Sequence, residues 1–176
     1  YITFLQIMKV ILYMAITANG MIATASDDTS WVSSTEWKSF SRRIGKVGNM
    51  IIGSRTYEIM QKKREFDRLQ GVKVVVLSRT ARKLRPGFSS AASPQSALAM
   101  LRSWGFTTVM VCGGGTVNAS FMKEKLIDEM CLDVEPVILG KGIPLFRNAD
   151  FQAKLRLQEI TRLSRNEIQL RYRLLP

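Results

Sequence analysis

Two stretches of this chain join an apolar run to a helical pattern through glycine. They are Gly53-Ser54-Arg55-Thr56, after Met50-Ile51-Ile52, and Gly113-Gly114-Gly115-Thr116, after Thr107–Cys112. A helix start offers unpaired N–H groups and the positive end of the helix dipole. Glycine there lets a phosphate approach the backbone closely. Two such junctions in one sheet could grip a single diphosphate from both sides; tight packing turns are the plain alternative. Gly113 and Gly115 also match the first two glycines of G-x-G-x-x-G. Asn118 takes the third place, however, and the motif falls late in the chain, so the Rossmann fingerprint is disfavoured.

Ser78-Arg79 follows the strand-like run Val74–Leu77. A hydroxyl and a guanidinium at a strand end suit a phosphate monoester, the group that separates NADP from NAD. A surface turn with a solvated arginine would look the same. Glu36 sits in the first turn of an amphipathic pattern, five residues after Trp31. It can complete a capping box with Ser33, or it can be a carboxyl that binds and helps protonate a heterocycle. Both roles are open, and they are compatible. The chain has no histidine, which removes Ser–His and Cys–His machinery and histidine metal sites.

These groups must be held by elements of alternating type. Met8–Thr17 is apolar almost throughout, as expected of a strand covered on both faces, and Asn19-Gly20 ends it. Trp37, Phe40, Ile44 and Val47 make one helical stripe behind Ser33-Ser34-Thr35-Glu36. Ser54 opens a helix to about Phe66, Val72–Leu77 is a strand, and Ser93-Pro94 opens a further helix closed by Gly105. Leu132–Leu139 is a strand; Leu155–Leu163 and Glu167–Leu174 form a hairpin around Ser164-Arg165-Asn166. The expected fold is a three-layer α/β domain, its central sheet mostly parallel with an antiparallel C-terminal hairpin. One domain over residues 8–176 is expected, with residues 1–7 an extension ahead of Met8.

Hydrophobic residues make up 46% of the 176, enough for a core without disulfides. Cys112 and Cys131 lie in apolar runs and form no C-x-x-C motif, so buried free thiols and a cytoplasmic location are expected. The apolar run Val10–Ile16 is far short of the ~20 residues that cross a bilayer, so no membrane association is expected. Of the net +12, Arg42–Arg85 carries +10, from 13 basic and 3 acidic residues. Such a patch attracts polyanions or a phosphorylated small molecule, but no nucleic-acid motif accompanies it.

Several motifs together carry a resemblance. Ala15-Ile16, Asn19-Gly20-Met21-Ile22, Trp31, Glu36, Phe40, Ile52-Gly53-Ser54-Arg55-Thr56-Tyr57, Leu77-Ser78-Arg79 and Val111-Cys112-Gly113-Gly114-Gly115-Thr116-Val117 occur in the order of the dihydrofolate reductase superfamily. The run Glu135-Pro136-Val137-Ile138-Leu139-Gly140-Lys141-Gly142-Ile143-Pro144-Leu145-Phe146 resembles its riboflavin-biosynthesis branch, the C-terminal reductase domain of the bifunctional deaminase-reductase and its stand-alone relatives.

The resemblance implies NADPH as cofactor. Ala15 and Ile16 would meet the nicotinamide, and Asn19, Gly20, Met21 and Ile22 would form a mobile loop beside it. Gly53, Ser54, Arg55 and Thr56 would hold the diphosphate with Gly113, Gly114, Gly115, Thr116 and Val117. Ser78 and Arg79 would take the 2′-phosphate, and Leu77 and Cys112, just before these segments, complete the cofactor set. Trp31, Glu36 and Phe40 would face the substrate, with Glu36 as its acid. Two departures bear on the substrate: no Asp-Pro-x-Leu motif follows Thr56, and Asn19-Gly20 replaces the Asp-Gly usual in that branch. A folate enzyme would also need an arginine for the glutamate tail, and Arg68 is the one on offer. Three readings follow: a homodimeric reductase of a ribosylaminopyrimidine phosphate; a reductase of dihydrofolate, another pterin or another small molecule; and a non-catalytic basic module that binds dinucleotide or nucleic acid.

Overall fold

A computed structural model describes residues 8–80 and 83–176 of the chain. The extension expected at residues 1–7 lies outside the described residues. β1 (Lys9–Thr17) lies at the centre of an eight-stranded sheet. Parallel to it on one side run β6 (Thr108–Val111), β3 (Asn49–Gly53), β4 (Lys73–Leu77) and the short β5 (Ser89–Ala91). On the other side come β7 (Glu129–Glu135), parallel, and then β10 (Ile168–Leu174) and β9 (Leu155–Arg162), antiparallel. The expected three-layer sheet with its C-terminal hairpin is therefore present.

The apolar strands follow from burial on both faces. Val10 and Leu12 of β1 join Ile51, Val75 and Val109 in one cluster, beneath α3 (Pro94–Ser103) and α4 (Gly115–Lys123). Ile11 and Tyr13 point the other way, with Ile52, Val74 and Met110, beneath α1 (Ser34–Val47) and α2 (Ser54–Lys62). Cys112 and Cys131 are buried and unpaired, as expected.

Three departures from expectation shape the surroundings of the strand ends. α2 stops at Lys62 rather than near Phe66, because Arg64 turns left-handed and Glu65–Arg68 is a separate 3-10 turn. β7 begins three residues before Leu132 and stops at Glu135, ahead of Pro136, which has no N–H to continue a ladder. The Asn19–Ile22 stretch is tied into a second sheet, where β2 (Met21–Thr24) pairs with β8 (Gly142–Pro144). The glycine that opens β8 has a steric reason: a Cβ on Gly142 would lie 2.6 Å from the Ala23 carbonyl oxygen.

Candidate active site

A cleft of about 1240 Å³ opens at the carboxyl ends of β1, β3, β4 and β6, where open α/β sheets bind ligands. The two glycine junctions form its floor. Gly53 N–H donates to the Gly113 carbonyl at 2.7 Å, so the two turns are bonded to each other. A Cβ on Gly53 would lie 2.9 Å from Val117 Cγ2, and one on Gly115 would lie 2.6 Å from the Pro144 carbonyl oxygen. Side chains are thus excluded where the backbones converge.

The helix starts divide by their caps. α1 and α3 begin on serines whose side chains accept a first-turn N–H. α2 and α4 begin on Gly53 and Gly114, with no side-chain cap. Ser54, Arg55 and Thr56 of α2, and Gly115, Thr116 and Val117 of α4, line the cleft. Two uncapped helix starts over one cleft leave donors suited to a diphosphate. The residues present therefore fit a dinucleotide.

Beyond that floor, Leu77, Ser78 and Arg79 form the edge at the end of β4. Arg79 is exposed, and among the described residues no ion pair engages it. Arg55, by contrast, reaches Asp27 at 2.6 Å and Glu58 at 3.3 Å. Arg147, whose backbone N–H donates to the Gly115 carbonyl, adds a cation from the loop after β8.

The other half of the cleft is walled by α1. Glu36, Trp37 and Phe40 line it, with Tyr13 and Met60 beside them. Trp37 and Phe40 pack at a ring separation of 5.4 Å. Glu36 is only 5% exposed, and among the described residues no donor is paired with its carboxyl. Burial first, then the nearby Asp133, Glu135, Glu65 and Glu167 carboxyls, push its pKa up to about 8. A carboxyl in that state holds a proton near neutral pH and opens on the cleft beside two aromatic rings, as a general acid requires. The capping box expected of Glu36 is only half made. Its backbone N–H donates to Ser33 Oγ at 3.0 Å, but the Ser33 N–H goes to Glu135 Oε1 at 2.8 Å instead of back to Glu36.

Of the residues read from the sequence, Ala15, Ile22, Glu36, Phe40, Gly53, Ser54, Arg55, Thr56, Leu77, Ser78, Arg79, Cys112, Gly114, Gly115, Thr116 and Val117 meet at this cleft. Gly113 lies behind the floor against Met14. Ile16 packs on the core beneath α4. Asn19 bridges the N–H and carbonyl of Leu139, Gly20 accepts from Leu145 N–H, and Met21 donates to Thr17, so of that stretch only Ile22 reaches the cleft. Trp31 is half-buried outside the lining, its indole N–H unpartnered among the described residues.

Trp37 was legible only as part of the core stripe, although it follows Glu36 and precedes Phe40 on the same face. Lys63, Glu65 and Arg68 also line the cleft, and the Arg68 guanidinium lies 5.9 Å from the Trp37 ring centroid. In the sequence Arg68 stood out only as the arginine on offer for a folate tail, and Lys63 and Glu65 only as part of the local excess of charge.

A twisted, mostly parallel sheet with an antiparallel C-terminal hairpin, and a glycine-floored cleft over its strand ends, defines a dihydrofolate-reductase-like α/β protein. The RibD C-terminal domain family matches residues 8–168, and the chain belongs to that family. It is 28% identical over 169 residues to the uncharacterised protein YwjB of Bacillus subtilis (strain 168), covering 93% of this chain and 97% of that one. Among solved structures it superposes on Acinetobacter baumannii RibD with a TM-score of 0.79 at 22% identity, over 97% of this chain and 59% of that one. The diaminohydroxyphosphoribosylaminopyrimidine deaminase/5-amino-6-(5-phosphoribosylamino)uracil reductase of Thermotoga maritima gives 0.74 at 18%, over 97% and 57%. Against both solved proteins this chain spans a little under three fifths of their length.

Proposed function

We propose that the chain is an NADPH-dependent reductase of the riboflavin-biosynthesis type, acting on a ribosylaminopyrimidine phosphate. The observation that carries this reading is one cleft with two halves: paired uncapped helix starts on one side, and a buried, proton-holding Glu36 beside two aromatic rings on the other. NADPH, when bound, supplies a hydride to a carbon of a C=N or C=O group. The chain's own part is to align that carbon and to manage the proton. The uncapped N–H groups of α2 and α4 take the diphosphate, and Ser78 and Arg79 take the 2′-phosphate. Trp37 and Phe40 hold the ring and exclude water, while the Glu36 carboxyl hydrogen-bonds the substrate and supplies its proton.

Two cations favour a phosphorylated substrate. Lys63 and Arg68 line the Glu36 half, and no ion pair among the described residues engages Arg68. A second reading, a pterin reductase, draws on the same Glu36, since a buried carboxyl also suits an amino-pterin edge. The protein acts as a cytoplasmic homodimer in this reading, joined at β9. That strand ends the sheet with an open edge and is exposed on both faces.

The deciding assay follows NADPH oxidation with the riboflavin-pathway pyrimidine and, separately, with dihydrofolate. Oxidation with the pyrimidine is expected. Turnover of dihydrofolate alone would move the substrate to the pterin class. NADPH binding without turnover of either, or DNA binding that persists at physiological salt, would overturn the enzymatic reading.

A further inference from the structure

The start of α1 is contested by three carboxyls. In an ordinary capping box the acid three residues after the cap returns to the cap's N–H. Here that N–H, on Ser33, is taken by Glu135, which lies at the end of β7. The Ser33 hydroxyl accepts from Glu36 N–H and donates to Glu167, which sits just before β10. β7 and β10 are neighbours, paired Val134 to Ile168, so Glu135 and Glu167 reach the helix start together. Both are buried, at 3% and 7% exposure. The one acid sequence-local to the cap is left without a cap bond, and its side chain lines the cleft.

We infer that Glu135 is a positioning residue: by accepting the Ser33 N–H it relieves Glu36 of the helix cap and commits the Glu36 carboxyl to the cleft. This rests on the reading of Glu36 as the substrate's acid. The physical reason is competition for one donor. A free first-turn N–H draws the nearest carboxylate, and Glu36 has the shortest path to it. With Glu135 already there, the cap N–H is closed to Glu36, and among the described residues no other donor is paired with its carboxyl. Around it stand the carboxyls of Asp133 and Glu135 on β7, Glu65 on the 3-10 turn and Glu167 beside β10, together with the Tyr13 hydroxyl and the Cys112 thiol, while Lys63 and Arg68 line the same cleft. Asp133 is itself bonded to the hydroxyl of Tyr13 and the amide of Gln169, and is not free to substitute for Glu135.

Three variants test this. Glu135→Ala leaves the Ser33 N–H open, and Glu135→Asp shortens the reach while keeping a charged group, so it serves if the alanine variant does not fold. Glu135→Gln keeps an oxygen that can accept the Ser33 N–H. Two readouts are taken on the whole chain: pyrimidine turnover with NADPH, and the titration of the Glu36 side-chain carbon by NMR, assigned with Glu36→Gln. Glu135→Ala and Glu135→Asp should lower kcat at least about tenfold, with NADPH affinity within about twofold of the parent. In both, the Glu36 midpoint should fall by about one pH unit or more, as its carboxylate gains an N–H partner and, in the alanine variant, also loses the Glu135 charge. Glu135→Gln should keep turnover within about threefold of the parent and lower the midpoint less than Glu135→Ala does, since it removes the Glu135 charge but keeps the Ser33 N–H occupied. A midpoint no lower in the alanine variant than in the glutamine variant, with the aspartate variant unmoved, would overturn the inference. A midpoint that moves while kcat does not would uphold Glu135 as the positioner and remove Glu36 as the substrate's acid.

Discussion

Gly53 and Gly113 are joined by a backbone hydrogen bond of 2.7 Å, although 60 residues separate them in the chain. Gly53 ends β3 and Gly113 follows β6, adjacent strands paired at Ile51 and Val111. The bond fixes the spacing of the α2 and α4 starts, and so the width of the cleft floor. Gly113 adopts φ +92°, which disfavours any side chain, whereas Gly53 has an ordinary φ of −81°. Gly53 is glycine for proximity alone.

That distinction gives a clean test. Gly53→Ala should destabilise the fold by about 1–3 kcal/mol, because its Cβ would meet Val117 Cγ2 at 2.9 Å. Spreading the two helix starts should also weaken NADPH binding. Gly45→Ala is the control. It lies inside α1 with nothing within 4 Å of its Cβ, and should gain roughly 0.5–1 kcal/mol while leaving NADPH affinity alone. Thermal melts with and without NADPH check both.

Cofactor choice is expected to depend on Arg79. It stands exposed at the end of β4, beside Ser78, and among the described residues no carboxylate competes for it. NADPH should bind more tightly than NADH, and Arg79→Ala should remove about 1.5–3 kcal/mol of that preference. Fluorescence titration of both cofactors measures it; equal affinities in the parent protein would sink the assignment.

Much of this was legible in the residues because periodicity and glycine placement report backbone geometry directly. Two-sided burial of β1 shows in the unbroken apolar run from Val10, and both glycine junctions fall where strands become helices. Long-range pairing was not legible. The proton-holding state of Glu36 depends first on its burial and then on Asp133, Glu135 and Glu167, which lie about a hundred residues or more away in the chain and reach α1 only once β7 and β10 pair. The capping-box pattern therefore suggested a local partner for Glu36 where folding supplies a distant one for Ser33. Trp37 was read as core for a related reason: periodicity places it on an inner face but does not tell a packed face from a cleft wall.

The hairpin carries a prediction about assembly. A bulge near Gln158 keeps Leu155, Leu157 and Ile160 opposite Leu174, Tyr172 and Leu170, so all three apolar side chains share one face of β9. They are 39%, 47% and 59% exposed, on a strand that ends the sheet. Such edges invite pairing. Light scattering of the parent should give about 40 kDa, twice the 19.9 kDa chain. Leu157→Arg should shift it to the monomer mass and cost the folded monomer no more than about 0.5 kcal/mol, since the site is exposed. A parent that is monomeric at high concentration would rule out the edge as an interface.

Glu36 offers the sharpest separation of roles, through pH. Its folded-state pKa, raised to about 8 by burial and by neighbouring carboxyls, lies above the ordinary value of 4.5. The protonated form is favoured in the fold, so its contribution to stability is full below pH 4.5 and is lost as pH rises through 8. Glu36→Gln keeps the shape but never ionises. Relative to the parent, the variant should therefore gain melting temperature as pH rises from 4.5 to about 8 and level off above that. The cap should survive, since the Ser33 N–H is held by Glu135 and the Glu36 position contributes only its backbone N–H. Turnover should move the opposite way. In the parent, kcat should fall as pH rises past about 8, where the acid loses its proton. In Glu36→Gln, kcat should be lower by roughly 10²–10⁴ and no longer show that limb, with NADPH affinity barely changed. Melting curves, NADPH titrations and pH–rate profiles on the same two proteins measure all of this. A Gln variant with full activity and an unchanged alkaline limb would refute the acid role of Glu36 and leave a reductase that works by alignment and solvent protons.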